Sequence, residues 1–158
     1  MKKRLLSALL VLLLCMNLMP MTVFAASVPD DLTFDISEGS VIVEDGSETG
    51  KVKITYGEGQ MLDNVDPRQE MTVTGSTTNT GNEVQIKTNT PLRIAIQDLY
   101  MDKRTMNIDS GNSGCGTICL NYTDAADVTL VLKGDNKLIA GWDKAGISVP
   151  AGARLTIE

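Results

Sequence analysis

Histidine is absent from this chain of 158 residues. That removes the commonest general base and the commonest metal ligand, so any chemistry must rest on carboxylates, amines, guanidinium groups and thiols. The densest group of these is Asp98, Asp102 and Asp109, with Lys103 and Arg104 beside them. Hard carboxylate oxygens suit calcium, and Asp98 with Asp102 and the later Asp135 is the candidate metal set. The plainer reading is that acidic residues between strands form turns and keep an acidic protein solvated. The thiols offer less. Cys115 and Cys119 are four residues apart, about 13 Å in an extended strand at about 3.3 Å per residue. A disulfide needs Cα atoms within roughly 7 Å, so the two do not pair unless the chain turns sharply between them. Two thiols without histidine do not complete a tetrahedral zinc site.

Aromatic side chains are the other candidates. They are Phe34, Tyr56, Tyr100, Tyr122 and Trp142 beyond the N-terminal region. Phe34 alternates with Leu32 and Ile36 and belongs in a core. Tyr100 and Tyr122 sit at strand ends, and Trp142 lies in the glycine-bracketed run Ala140-Gly141-Trp142-Asp143. A large ring with a polar tip suits stacking on a sugar or an interface. The plainer reading of each is a lid over the interior. Asn136, at a corner, is read as structural, because asparagine bonds into turns and tolerates a left-handed backbone.

These residues are positioned by a chain that opens with an export signature. Met1-Lys2-Lys3-Arg4 is positive, Leu5 to Leu14 is apolar apart from Ser7, Pro20 breaks the run, and Val23-Phe24-Ala25-Ala26 supplies small residues. A charged start, a short apolar core and an A-x-A-like end define a secretory signal. Residues 1–25 are therefore expected to be removed, with cleavage after Ala25 or Ala26. A membrane anchor needs about 20 apolar residues, and Asn17 and Pro20 interrupt this run. A lipid-modified Cys15 is disfavoured by Leu14, where such signals carry a small residue. The expected location is extracellular or at the cell surface, with no membrane association after cleavage.

The signal holds three of the fourteen basic residues and none of the twenty acidic ones, so the remainder carries a net charge of −9. A chain this acidic does not seek phosphate backbones, which excludes nucleic acid as a partner. Its length suits one domain.

Beyond the signal, apolar residues alternate at period two in short runs, the pattern of strands with one buried face. Strands are expected at Leu32–Ile36, Ser40–Val43, Lys51–Tyr56, Glu70–Thr74, Glu83–Thr88, Leu92–Ile96, Thr117–Asn121, Val128–Leu132, Gly146–Val149 and Arg154–Ile157. Between Asp63 and Met71 there is room for one helical turn, with Pro67 inside it. A two-strand unit then recurs. Val84-x-Ile86 is followed by Leu92-x-Ile94-x-Ile96. Ile118-x-Leu120 is followed by Val128-x-Leu130-x-Leu132. Ile147-x-Val149 is followed by Leu155-x-Ile157. A recurrence near 30 residues points to a repeat architecture. With strands, that means an all-β solenoid whose coils stack and line the interior with aliphatic side chains. An ordinary β-sandwich also has many short strands, but its turns need not vary while the strand pairs stay constant. Residues 71–158 are read as coils and 26–70 as an N-terminal β-cap or opening coils. Stacking also brings Asp98 towards Gly134 and Asp135, because Leu92 and Val128 begin equivalent strands. A last coil that stops at Glu158 would leave an open edge. The expectation is an N-terminal fragment of a longer solenoid, with further domains beyond Glu158 or a partner chain over the edge.

The stretch Val128-Thr129-Leu130-Val131-Leu132-Lys133-Gly134-Asp135-Asn136-Lys137-Leu138, followed by Ala145-Gly146-Ile147-Ser148-Val149-Pro150-Ala151-Gly152-Ala153-Arg154-Leu155-Thr156-Ile157, resembles the right-handed parallel β-helix modules of large secreted and cell-wall proteins of Gram-positive anaerobes. Those are known as carbohydrate-binding-domain-containing proteins. Asp35-Ile36-Ser37-Glu38-Gly39-Ser40-Val41-Ile42-Val43 is similar to their opening segment. The resemblance runs best from Met71 onward and rests on corner glycines and core aliphatics. It implies a pectate-lyase-like β-helix and a non-catalytic module for polysaccharide, sometimes with calcium. No catalytic residue carries over. The ligand-binding candidates are Trp142, Tyr122 and Tyr100. The alternatives are a structural stalk or adhesin spacer and a calcium-dependent polysaccharide lyase, which would need converging carboxylates beside Lys103 or Arg104.

Overall fold

The computed structural model describes residues 31–78, 81–104, 116–120, 126–141 and 144–158, and the chain is all-β. β1 (Leu32–Asp35), a 3-10 turn (Ile36–Glu38) and β2 (Val41–Asp45) come first. A hairpin follows, made of β3 (Val52–Tyr56) and β4 (Gln60–Val65). Then come β5 (Met71–Thr77), β6 (Val84–Lys87), β7 (Leu92–Asp102), β8 (Ile118–Leu120), β9 (Asp127–Lys133), β10 (Lys137–Ile139), β11 (Ile147–Ser148) and β12 (Arg154–Ile157).

The strands form two sheets. One runs β1-β5-β7-β9-β12, with β10 paired to the far end of β7, and the other runs β11-β8-β6-β2-β3-β4. Only the hairpin pairings, β2 with β3 and β3 with β4, are antiparallel. From β5 onward the chain alternates between the two sheets, except that β9 and β10 both join the first, and each strand lies parallel to one laid down earlier in the sequence. The repeat in the sequence is the pairing register itself. Val84 lies opposite Ile118 and Ile118 opposite Ile147, while Leu92 lies opposite Val128 and Val128 opposite Leu155.

Register stacks the inward side chains into columns. Leu32, Met71, Ile94, Leu130 and Ile157 form one, and Phe34, Val73, Ile96 and Leu132 another. At the β1 end Phe34 meets Tyr56 of the hairpin, with ring centroids 4.9 Å apart. Buried Asn82 ties two turns of chain together, donating from Nδ2 to the Ile36 carbonyl at 2.7 Å.

Several expectations change. The segment from Gln60 to Val65 is a strand, not part of a helical turn. Its apolar residues Leu62 and Val65 are three apart because the ladder carries a bulge there and Asn64 has φ 58°. That breaks the period-two signal. β7 runs six residues beyond Ile96, because Asp98, at φ 49°, turns the strand and restarts the alternation at Leu99 and Met101. β10, only three residues long and led by a lysine, gives no alternation to read.

The turn at Asp98 belongs to a corner shared by neighbouring strands. Thr74, Gln97 and Lys133 lie in one row, and the residues that follow them, Gly75, Asp98 and Gly134, all have positive φ (95°, 49° and 65°). Beyond this corner pairing resumes, with Ser76 beside Tyr100 and Tyr100 beside Lys137.

Candidate functional site

The short ladder beyond the corner carries the candidate site. Tyr100 and Asp102 alternate with buried Leu99 and Met101 on β7. Successive strand residues point to opposite faces, so Tyr100 and Asp102 share one face, with Ser76 and Lys137 on either side of Tyr100; Tyr100 is partly exposed there and Asp102 is buried, 9% exposed. The Tyr100 hydroxyl donates to an Asp102 oxygen at 3.2 Å. The Lys137 ammonium sits 5.7 Å from the ring centroid, within reach of a cation–π contact. Arg104 closes the group. Its Nε donates to Asp102 at 2.9 Å, its Nη2 bonds the same carboxylate, and its backbone N–H donates to it at 3.1 Å. These guanidinium and backbone bonds hold the Asp102 carboxyl far below the usual carboxylate range and keep it ionised.

Asp98 and Asp135 do come together, as stacking requires, but through the main chain. The Asp98 carboxylate accepts the Asp135 backbone N–H at 3.0 Å and lies against Gly134. Asp102 is committed to Arg104. Among the described residues no three acidic or thiol side chains converge. This donor set does not fit a calcium ion, since the Asp98 and Asp102 carboxylates already hold donors of the protein and do not converge with Asp135.

Lys103 lies inside the molecule, 1% exposed, although its position beside Asp102 suggests a surface base. Its Nζ reaches the Gly116 carbonyl at 3.3 Å and the Glu83 carboxylate at 3.7 Å. It follows Met101 and Asp102 at the end of β7, where the alternation no longer reports the face. Cys119 is a buried free thiol. Trp142, Tyr122, Cys115, Asp109, Ala25 and Ala26 lie outside the described residues, as does the whole of 1–25. Among the described residues no helix is long and apolar enough to cross a membrane.

The sequence reading picked out Tyr100 but missed its setting. Lys137 and Arg104 complete it, and only the pairing of β10 with β7 reveals the first of these. A second hollow, about 440 Å³, lies between the 46–51 turn and Asn89–Thr90. It is polar, and its walls are fixed by bonds from Ser47 N–H to Asp63 and from Glu48 N–H to Asn64.

Compared with known proteins, the chain matches no family model, no curated protein and no solved structure.

Proposed function

We propose that this protein is a secreted or cell-surface, non-catalytic module that binds polysaccharide on a right-handed parallel β-helix. The architecture is supported by parallel registers that link strands a coil apart and by the shared corner of Gly75, Asp98 and Gly134. The hand follows from the general rule that parallel crossovers are right-handed in about 98% of cases. Export is supported by the signature within residues 1–25.

One observation carries the binding reading. Tyr100 stands partly exposed in a row with Ser76 and Lys137, beside the buried Asp102 carboxylate and the exposed Arg104 guanidinium held in fixed geometry. A ring for the apolar face of a sugar, with rigid donors and acceptors for its hydroxyls, is the usual composition of a carbohydrate subsite. Outward groups elsewhere on the first sheet, such as Thr72, Thr129 and the Glu70–Arg93 ion pair, favour a spacer role for that face.

The test is a polysaccharide pull-down and glycan array with the purified protein, run with calcium and with chelator. Saturable binding is expected in both, and Tyr100→Ala is expected to weaken it about tenfold, equivalent to about 1.4 kcal/mol. A folded sample that binds no polysaccharide would overturn the reading and leave the spacer in its place.

A further inference from the structure

The 440 Å³ hollow lies where the turn between β2 and β3 faces the corner between β6 and β7. Its frame is tied down on both sides. Within the turn, Gly46 N–H donates to the Lys51 carbonyl at 2.8 Å and Lys51 N–H to the Glu48 carbonyl at 3.1 Å. From β4, Asp63 accepts the Ser47 N–H at 3.1 Å. The Asn64 side-chain oxygen accepts the Glu48 N–H at 2.9 Å and the Ser47 hydroxyl at 3.0 Å. The corner is tied to β2 through Thr88, which is 1% exposed. Its hydroxyl donates to the Asp45 carboxylate and accepts the Thr90 N–H at 3.0 Å. The Lys51 ammonium is held by Asp66 at 3.4 Å.

The groups left over are those that line the hollow. Among the described residues, the side chains of Glu48, Thr49, Asn89 and Thr90 have no partner in the protein, and one oxygen of Asp45 is uncommitted. The two carboxylates only accept, while the two hydroxyls and the amide both donate and accept. That mixture matches the edge of a sugar ring, where each hydroxyl gives one proton and offers two lone pairs. A carboxylate can take the protons of two neighbouring hydroxyls at once. The walls include no aliphatic or aromatic residue, so an apolar ligand gains little there. Two carboxylates beside a lysine that is already paired repel an anion. The volume lies in the lower part of the roughly 300–1,000 Å³ range of small-molecule sites, room for one ring rather than a chain. Because the frame is fixed, little ordering cost opposes binding.

We infer that the hollow between the 46–51 turn and Asn89–Thr90 is a second binding site, which takes a single neutral sugar unit or polyol edge-on through its hydroxyls. It shares no wall with the Tyr100 group, and it stands or falls independently of that subsite.

The decisive experiment is an NMR titration of the purified protein, read at the assigned main-chain amides. The probes are glucose, galactose, xylose and myo-inositol, with gluconate as the anionic counterpart. Saturable shifts at Glu48, Thr49, Asn89 and Thr90 are expected with a neutral probe, at millimolar concentration, and none with gluconate. Glu48→Ala and Asn89→Ala remove side chains that hold nothing else in place, so both are expected to stay folded and to bind about tenfold more weakly. Thr49→Trp is expected to fill the hollow and abolish the shifts. Tyr100→Ala is expected to leave them unchanged, which separates this site from the Tyr100 subsite. A folded protein whose hollow responds to none of the neutral probes would overturn the inference. So would shifts produced by calcium chloride alone with no response to sugars, binding that survives Glu48→Ala at full strength, or binding that is lost with Tyr100→Ala.

Discussion

Asn136 does at one corner what backbone pairing does along the strands. Its Oδ1 accepts the N–H of Leu99, a residue with no exposed surface, and its Nδ2 donates to the Lys133 carbonyl, each at 3.0 Å. The reading of Asn136 as a structural corner residue matches this, though the sequence does not reveal that it joins two strands. Asn136→Ala leaves the Leu99 N–H without a partner and is expected to cost about 1–3 kcal/mol. Asn136→Asp keeps the acceptor and is expected to lose less, as urea denaturation would measure. Gly134 is the companion case. Its φ of 65° penalises any Cβ, and a Cβ there would overlap the Asp98 carboxylate. Gly152 also has positive φ, but open space surrounds it. Gly134→Ala is therefore expected to cost more than Gly152→Ala, which should lose only the backbone term of about 1–2 kcal/mol. Equal losses in thermal melts would show that Asp98 moves aside freely. At this scale the sequence identifies residue types, and Tyr100 and Asp98 follow from them. It does not tell that Asp102 is claimed by Arg104 or that Lys103 is internal, because those facts depend on where the alternation resets.

The elements show why it resets. Where β4 bends at Asn64 and β7 at Asp98, each at a positive φ, the next inward residue comes after three positions instead of two. A period-two reading stops there, so β4 and the second half of β7 are missed while straight strands are found nearly to the residue. The outer face of the first sheet is likewise invisible to periodicity. Ala95 alternates outward between Ile94 and Ile96 yet has no exposed surface. Around it stand Glu70, Arg93 and Lys133, which form ion pairs across three strands. Lys133 and then Arg93 draw the Glu70 carboxyl below the usual glutamate range. Lys53 does the same for Glu44 on the other sheet. A carboxyl whose pKa falls on folding stabilises the fold fully above its unfolded value, and that stabilisation is lost as pH falls through the folded value. The melting temperature is therefore expected to hold from neutrality to about pH 4.5 and to drop below that. Glu70→Gln is expected to flatten the drop, and salt to shrink the difference between the two proteins. An acid limb unchanged by Glu70→Gln would mean that these pairs contribute nothing in solution.

At the scale of the molecule, sequence and structure agree best, since a repeat encodes its own register. The equivalences Val84, Ile118, Ile147 and Leu92, Val128, Leu155 need no knowledge of turns, and they fix which residues share a column. The pattern cannot say how well each column is covered, because that depends on what lies above its last member. In the proposed solenoid, stability is close to a sum of units and of their nearest-neighbour contacts, so a core substitution should cost what its own neighbours supply. Ile96 has Val73 beneath it and Leu132 above. Ile96→Ala is expected to cost about 2–5 kcal/mol, the usual range for a buried aliphatic side chain. Leu132 has Ile96 on one side only and is 49% exposed. Leu132→Ala is expected to cost less than half as much. Urea denaturation midpoints of both variants would measure the difference. Equal costs would mean that Leu132 is covered in solution as fully as Ile96.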